Sequence, residues 1–300
     1  MSWLTLRDGV RLRVGEFADA AGGPSAAGPP VVLVHGWKGS HRLWDPTVVE
    51  LTARGARVVA FDLRGMGESD KPAGVYDFDT FADDLGELLD AFELRDATLV
   101  GWSMGCTVAL RHLQRGGGRV GRLVLLNGPL RLTRAPDFPH AMSEQQLDGY
   151  LAELAAGWPA SERAFQAESV LADSDPAVVD WLYGIALQTP LPVALSAVRE
   201  QAKLDMRPAI AALRVPVLAA YAVHDPYYPT SLGDWIAANA PDGRAQVFEH
   251  SAHGTPFEEA PALAQAIVAF GAETGRTDSL RSRAGGGPSS LRSRAGEGPA

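Results

Sequence analysis

The chain has 300 residues, 46% hydrophobic and 21% charged, enough to bury a large core without disulfides or metals. Its formal charge of −9 and pI near 5.3 argue against a nucleic-acid partner, since phosphate binding needs a basic face. The one cysteine, Cys106, cannot form an internal disulfide, and a reducing cytoplasm is the expected location.

The N-terminal "MSWLTLRDGVRLRV" has no positive region followed by a long apolar run, so no signal peptide is expected. No stretch approaches the ~18 apolar residues that would span a bilayer, and no membrane partner is expected. Asp8-Gly9, between two alternating runs, predicts a hairpin. A Gly/Pro/Ala-rich stretch at 20–30 reads as a connection. Near-continuous apolar runs follow: VVLVHG (31–36), RVVAFDL (57–63), ATLVGW (97–102), RLVLLNG (122–128) and VPVLAAYAVHD (215–225). Such runs read as strands buried on both faces of a parallel sheet. QVFEHSAH (246–253), shorter and more polar, reads as an edge strand. Helices are predicted between them, one over 79–92 with a stripe at Phe81, Leu85, Leu88, Leu89 and Phe92, another over 260–270. The alternation makes an α/β protein with a mostly parallel sheet.

The segment 129–205 breaks the alternation, with helical stretches and proline breaks but no convincing strand. Inserted between two strands, it predicts a helical cap over their C-terminal ends, where open α/β sheets place their ligand crevice. Residues 1–128 and 206–273 then form the core. The remainder, 274–300, repeats SLRSRAGGGP as SLRSRAGEGP, a composition too poor in large apolar groups to order itself, and reads as a disordered tail.

One short stretch carries the chemistry. In "TLVGWSMGCTVALRHL", Ser103 lies between Gly101 and Gly105, directly after an apolar strand and before a helix. Glycines two residues on either side allow a sharp strand-to-helix turn that presents the hydroxyl above the sheet, the nucleophile elbow G-x-S-x-G. A serine hydroxyl needs a base. Of seven histidines, His35 directly follows a strand and reads as a loop-shaping residue. His41, His112 and His140 read as solvent-facing, and His224 is adjacent to Asp225 in sequence. His250 and His253 share one stretch, and His253, on the loop before Gly254, is the better placed. The base needs a carboxylate to fix its tautomer. Asp225, emerging after the long apolar run, suits this better than Asp205, Asp234 or Asp242. The chain order Ser103, Asp225, His253 is that of α/β-hydrolase triads.

With these residues in view, the chain resembles the α/β-hydrolase superfamily over roughly 5–273, on the esterase and non-haem haloperoxidase-perhydrolase side. "VVLVHGWKGSHRLWDP" is similar to the family's H-G loop and "AFDLRGMGESDKP" to its D-x-R-G-x-G-x-S segment. "GWSMG" matches the elbow, "HDPYYP" the acid turn, and "SAHGTPFEEAP" the histidine loop. Met66 stands where many relatives have histidine, and Ala252 where many have glycine. The resemblance implies an α/β-hydrolase fold, with helices on both faces of the sheet and a helical cap. It further implies an oxyanion hole from the backbone N–H groups of Trp37 and Met104, and no metal or organic cofactor. The expected activity is hydrolysis of a small-molecule carboxylic ester or thioester. Perhydrolase, lactonase, C–C hydrolase, cofactor-independent dioxygenase and non-catalytic ligand-binding members share the scaffold. Trp102, Trp158, Phe165, Trp181, Tyr183 and Tyr227 are the candidate pocket residues beside Trp37, each also suited to ordinary core packing.

Overall fold

In the computed structural model, which describes residues 1–18 and 28–273, one sheet of eight strands organises the chain. The elements in order are β1 (Ser2–Thr5), β2 (Arg11–Phe17), β3 (Val31–Val34), α1 (Asp45–Ala53), β4 (Val58–Phe61), α2 (Phe78–Ala91), β5 (Ala97–Trp102), α3 (Met104–Gln114) and β6 (Val120–Leu126). The segment between β6 and the next strand holds α4 (Glu144–Gly157), α5 (Ala160–Glu168), α6 (Pro176–Ala186), α7 (Leu191–Ala202) and the short α8 (Arg207–Ala211). β7 (Val217–Ala222), α9 (Thr230–Asn239), β8 (Gly243–Phe248), α10 (Thr255–Glu258) and α11 (Ala260–Ala272) complete it. The strand order is β1-β2-β4-β3-β5-β6-β7-β8. β2 runs antiparallel to β1 and β4, and the remaining pairings are parallel. This is the mostly parallel α/β architecture of the α/β-hydrolase fold.

Why the central runs are continuously apolar is visible in β3. Val32 and Val34 join a core with Phe81, Leu85 and Leu88 of α2 and Val108 of α3. Val31 and Leu33 point to the other face, with Val48 and Leu51 of α1 and Leu263 and Ile267 of α11. Both faces are covered, so the period-two alternation of a one-sided strand disappears. Helix α2 starts where Asp77 accepts the N–H of Thr80 at 2.9 Å. Gly9 at φ 88° closes the β1–β2 hairpin.

Two strands differ from their sequence reading. β7 stops at Ala222, and Asp225 lies three residues beyond it, after the exposed Val223. β8 begins at Gly243 and ends at Phe248, where its register with β7 runs out at Ala222↔Phe248. His250 and His253 therefore both follow the strand. Residues 20–27 of the 20–30 connection and the whole repeated tail lie outside the described residues. Among the described residues, no single helix is long and apolar enough to cross a membrane, and the apolar pair α6–α7 is bent by 88°.

Candidate active site

Ser103 occupies the junction of β5 and α3 at φ 56°, ψ −121°. A non-glycine residue rarely accepts such backbone angles, and they cost of order 1–3 kcal/mol unless the surroundings impose them. The glycines show how they are imposed. A Cβ on Gly101 would stand 2.5 Å from Gly105 O, and one on Gly105 would stand 2.3 Å from Val34 O. Only bare backbone lets α3 begin in contact with β5 and β3. Ser103 is the N-cap of α3 by position, yet its side chain makes no cap hydrogen bond. The hydroxyl remains available, facing a cavity shared with His253.

His253 Nδ1 donates to Asp225 Oδ2 at 2.8 Å, and the Asp225 side chain is fully buried. The other carboxylate oxygen accepts the N–H groups of Tyr227 (2.7 Å) and Tyr228 (3.1 Å), so a tight turn fixes the acid. With Nδ1 protonated toward Asp225, Nε2 is the ring's basic atom. No hydrogen bond joins Ser103 and His253 among the described residues, a looseness common before substrate binds. His250 is exposed, its N–H bound to Glu259 Oε2 at 3.0 Å, on the outer side of the loop.

The histidine loop is held by Asn127 and Glu258, which the sequence did not single out, and by Trp102, expected only as a pocket residue. Asn127, just beyond β6 at φ 43° and fully buried, accepts the N–H of Ala222 at 2.9 Å. Its amide donates to Thr255 Oγ1 (2.9 Å) and to the carbonyls of Ala252 and His253 (both 3.3 Å). Asn127 thus ties the end of β7, which leads to the acid, to the loop carrying the base. Trp102 Nε1 donates to His253 O at 2.8 Å, and its ring lies 5.4 Å from the imidazole. Glu258 accepts the N–H groups of Leu171 (2.7 Å) and Ala252 (2.9 Å), and burial raises its carboxyl above the usual range.

The H-G loop packs against the serine. A Cβ on Gly36 would lie 2.9 Å from Ser103 Cβ, so the loop's backbone passes close over the elbow. His35 clamps it, with Nδ1 donating to Gly36 O (2.7 Å) and Nε2 accepting the Leu63 N–H (3.0 Å). Burial holds its pKa below the ordinary imidazole value, which suits this neutral, structural tautomer. Trp37 and Met104 line the same cavity as Ser103, and neither backbone N–H makes a hydrogen bond to protein among the described residues. Burial pushes the thiol of Cys106, one turn below the serine, far above its usual range, making it inert.

His41, expected in solvent, is instead buried, its ring nitrogen 2.7 Å from Asp62. Asp62 also accepts the N–H groups of His41 and Glu68, both at 2.6 Å, which explains the aspartate opening the D-x-R-G segment. His112, read as solvent-facing too, is largely covered and bonds Ala82 O at 3.1 Å. His140 lies at 3.3 Å from the Ser231 hydroxyl near the surface. Met66 fills the core with no exposed surface.

The cavity encloses about 140 Å³, the scale of space that accommodates a benzene-sized ligand. Trp102, Phe165 and Tyr227 line it. Trp158, Trp181 and Tyr183 do not. On α6 the inward positions are Leu182 and Ile185, which flanks Trp181 and Tyr183 to either side of the wall. Trp181 packs edge-on against Phe257 instead, at 5.5 Å. Trp158 falls just past the end of α4 in extended conformation and leaves the face formed by Leu147, Leu151 and Leu154. The wall also includes Leu132, Val198 and Gln201, which no local pattern marks. Lys38 forms a sealed ion pair with Glu162 of α5, both side chains without exposed surface, and its ammonium lies 3.8 Å from the Trp37 ring centroid. Burial, opposed by Glu162, pushes Lys38 down to about 8. Among the described residues no cluster of three or more His, Cys, Asp or Glu side chains could hold a metal ion.

Comparison with known proteins identifies the family. The family model of the alpha/beta hydrolase fold matches residues 29–260. The non-heme chloroperoxidase CPO-A1 of Kitasatospora aureofaciens is 30% identical over 258 residues, covering 83% of this chain and 91% of that protein. A pimeloyl-[acyl-carrier protein] methyl ester esterase of Aromatoleum aromaticum is 32% identical over 243 residues, covering 78% and 94%. The structure of an esterase from Exiguobacterium antarcticum superposes with a TM-score of 0.83 at 23% identity, covering 91% and 99%. The chain belongs to the α/β-hydrolase family and is an enzyme of its esterase and haloperoxidase branch.

Proposed function

We propose that this enzyme hydrolyses a small-molecule carboxylic ester or thioester through an acyl-enzyme on Ser103. One observation carries the reading: the strained, unbonded Ser103 hydroxyl opens on the same cavity as His253, whose other ring nitrogen is fixed by buried Asp225.

His253 Nε2 takes the hydroxyl proton as Ser103 Oγ attacks the ester carbonyl carbon. The carbonyl oxygen becomes an oxyanion facing the unpartnered N–H groups of Trp37 and Met104, each such donor typically worth about 3 kcal/mol of barrier. The N-terminus of α3 adds a favourable dipole. Asp225 stabilises the imidazolium, which then protonates the leaving alcohol or thiol. Water, activated by the same histidine, breaks the acyl bond and restores the hydroxyl. No step calls on a metal or organic cofactor. The segment 129–205 acts as the cap, covering the cavity with α4–α7, and the enzyme works in a reducing cytoplasm.

The name of the chloroperoxidase relative favours a second reading, in which hydrogen peroxide replaces water and the product is a peracid. Both share the acyl-enzyme. A fluorophosphonate probe tests that common step: intact-mass analysis should show one adduct, absent in Ser103→Ala. Folded, unlabelled wild type would overturn the reading in favour of a ligand-binding or oxygenase role.

A further inference from the structure

Gln201 is a polar residue at a position that should be apolar. Helix α7 buries Val193, Ala194, Ala197, Val198 and Gln201, one continuous face. Gln201 is 4% exposed, and that remnant opens on the cavity wall beside Val198. One end of its amide is fixed at 2.8 Å to the buried Thr107 hydroxyl of α3, one turn beyond Ser103. The other end has no protein partner among the described residues, and it is not one of the polar atoms sealed from solvent. A buried amide left half-bonded is costly unless something completes it. The hydrogen bond to Thr107 stops the side chain from turning away, so a group inside the cavity must supply the partner.

The charges around it narrow the chemistry. The lining side chains able to carry positive charge among the described residues are Lys38 and His253, and each already has its carboxylate, Glu162 and Asp225. A carboxylate or phosphate on the substrate would enter an apolar cavity with no free counter-charge there. We propose that Gln201 is a specificity-determining residue whose free carbonyl oxygen, Oε1, accepts a hydrogen bond from an uncharged hydroxyl or amide N–H on the substrate, away from the scissile ester. The preferred substrate class is then a small neutral ester bearing a hydrogen-bond donor. This rests on the acyl-enzyme reading above.

The test uses the full chain and p-nitrophenyl esters of matched size: pentanoate as the plain ester, 3-hydroxybutanoate and N-acetylglycinate as donor-bearing ones, and 4-oxopentanoate, which only accepts, as the polar control. For at least one donor-bearing ester, Gln201→Leu should lower kcat/KM relative to pentanoate tenfold or more, while the ratio of 4-oxopentanoate to pentanoate stays within threefold of its wild-type value. A merely structural Gln201 would slow every ester together and leave the ratios within twofold, which overturns the proposal. Should Gln201→Leu fail to fold, Gln201→Met with Thr107→Val removes both polar partners at similar volume and is held to the same ratios. Wild type that turns over no ester at all would instead remove the acyl-enzyme reading beneath it.

Discussion

Asn127 is the residue on which the base and the acid depend together, and its two simplest substitutions should rank in an unexpected order. It is fully buried, and Asn127→Ala would strand the Ala222 N–H, a buried donor bonded at 2.9 Å. An orphaned buried donor costs about 1–3 kcal/mol, and the lost amide bonds to the histidine loop bring the total to about 2–4 kcal/mol. In a domain of this size that lowers Tm by roughly 4–16 °C. Asn127→Asp is isosteric and keeps the acceptor for Ala222. It also tolerates the positive φ of 43° better than alanine does. Yet it turns a carboxylate oxygen toward the carbonyls of Ala252 and His253, each 3.3 Å from the present amide nitrogen. Those contacts become repulsive at a site buried from solvent, so the aspartate should be the worse variant in both Tm and kcat. In each case kcat should fall at least tenfold because the base is misplaced, and KM should change less than kcat, since His253 and Gly254 are a small part of a wall built mostly from other segments. Differential scanning fluorimetry and steady-state hydrolysis of p-nitrophenyl acetate measure both. If the aspartate variant matches wild type, or is more stable than the alanine variant, the amide does not hold the histidine loop.

Ser103→Ala should lower ester turnover by several orders of magnitude and leave Tm unchanged, and activity above a tenth of wild type would remove the acyl-enzyme. His253→Ala should do comparable damage and the exposed His250→Ala very little, with the reverse ranking showing that the wrong base was chosen. Lys38→Met with Glu162→Leu should hold or raise Tm, because the desolvation of a sealed pair often exceeds its attraction; a fall beyond 5 °C would contradict this. Burial depresses the folded lysine to about 8 from 10.5, so between those values the unfolded chain holds a proton the folded one has released. Wild type should therefore gain stability over the double variant as pH rises through that window, and a flat difference would refute the assignment.

The parts legible in the sequence were those encoded in contiguous residues. Gly101, Ser103 and Gly105 lie within one turn of chain, and the motif is legible there even though the close approach at Gly105 is made by Val34 of the distant β3. The parallel sheet was legible because strands covered on both faces become uninterrupted apolar runs. The cavity wall was not, since it is assembled from residues far apart in sequence. Aromatic content pointed to Trp181 and Tyr183, while helix phase put Leu182 and Ile185 inward. His41 looked like a loop histidine until the fold brought Asp62 to it across 21 residues. Gln201 and Asn127 are ordinary polar residues in sequence, and only their burial makes them notable.

The two sides of the cavity are built on different physical terms. On the sheet side, Ser103, His253, Asp225 and His35 are fixed through backbone groups: tight glycine contacts, N–H groups on Asp225 Oδ1, and the Leu63 N–H on His35. Those contacts cannot change without moving strands, so they suit groups that must meet a transition state in one geometry. On the side of the inserted helices, one backbone bond, from the His253 N–H to Ser169 O at 3.1 Å, is joined by links between single side chains or from one side chain to one backbone group. Gln201 reaches Thr107, Ser169 meets the Tyr227 hydroxyl at 2.9 Å, Trp37 Nε1 reaches Ala194 O at 2.9 Å, and Lys38 pairs with Glu162. Each such link can be exchanged by one or two substitutions at modest cost, and the apolar wall between them conserves volume more readily than shape. Selectivity should therefore change by substitution in α4–α7 with kcat for a plain ester largely kept. Changes beneath Ser103 or around Asn127 should instead lower turnover of every substrate alike.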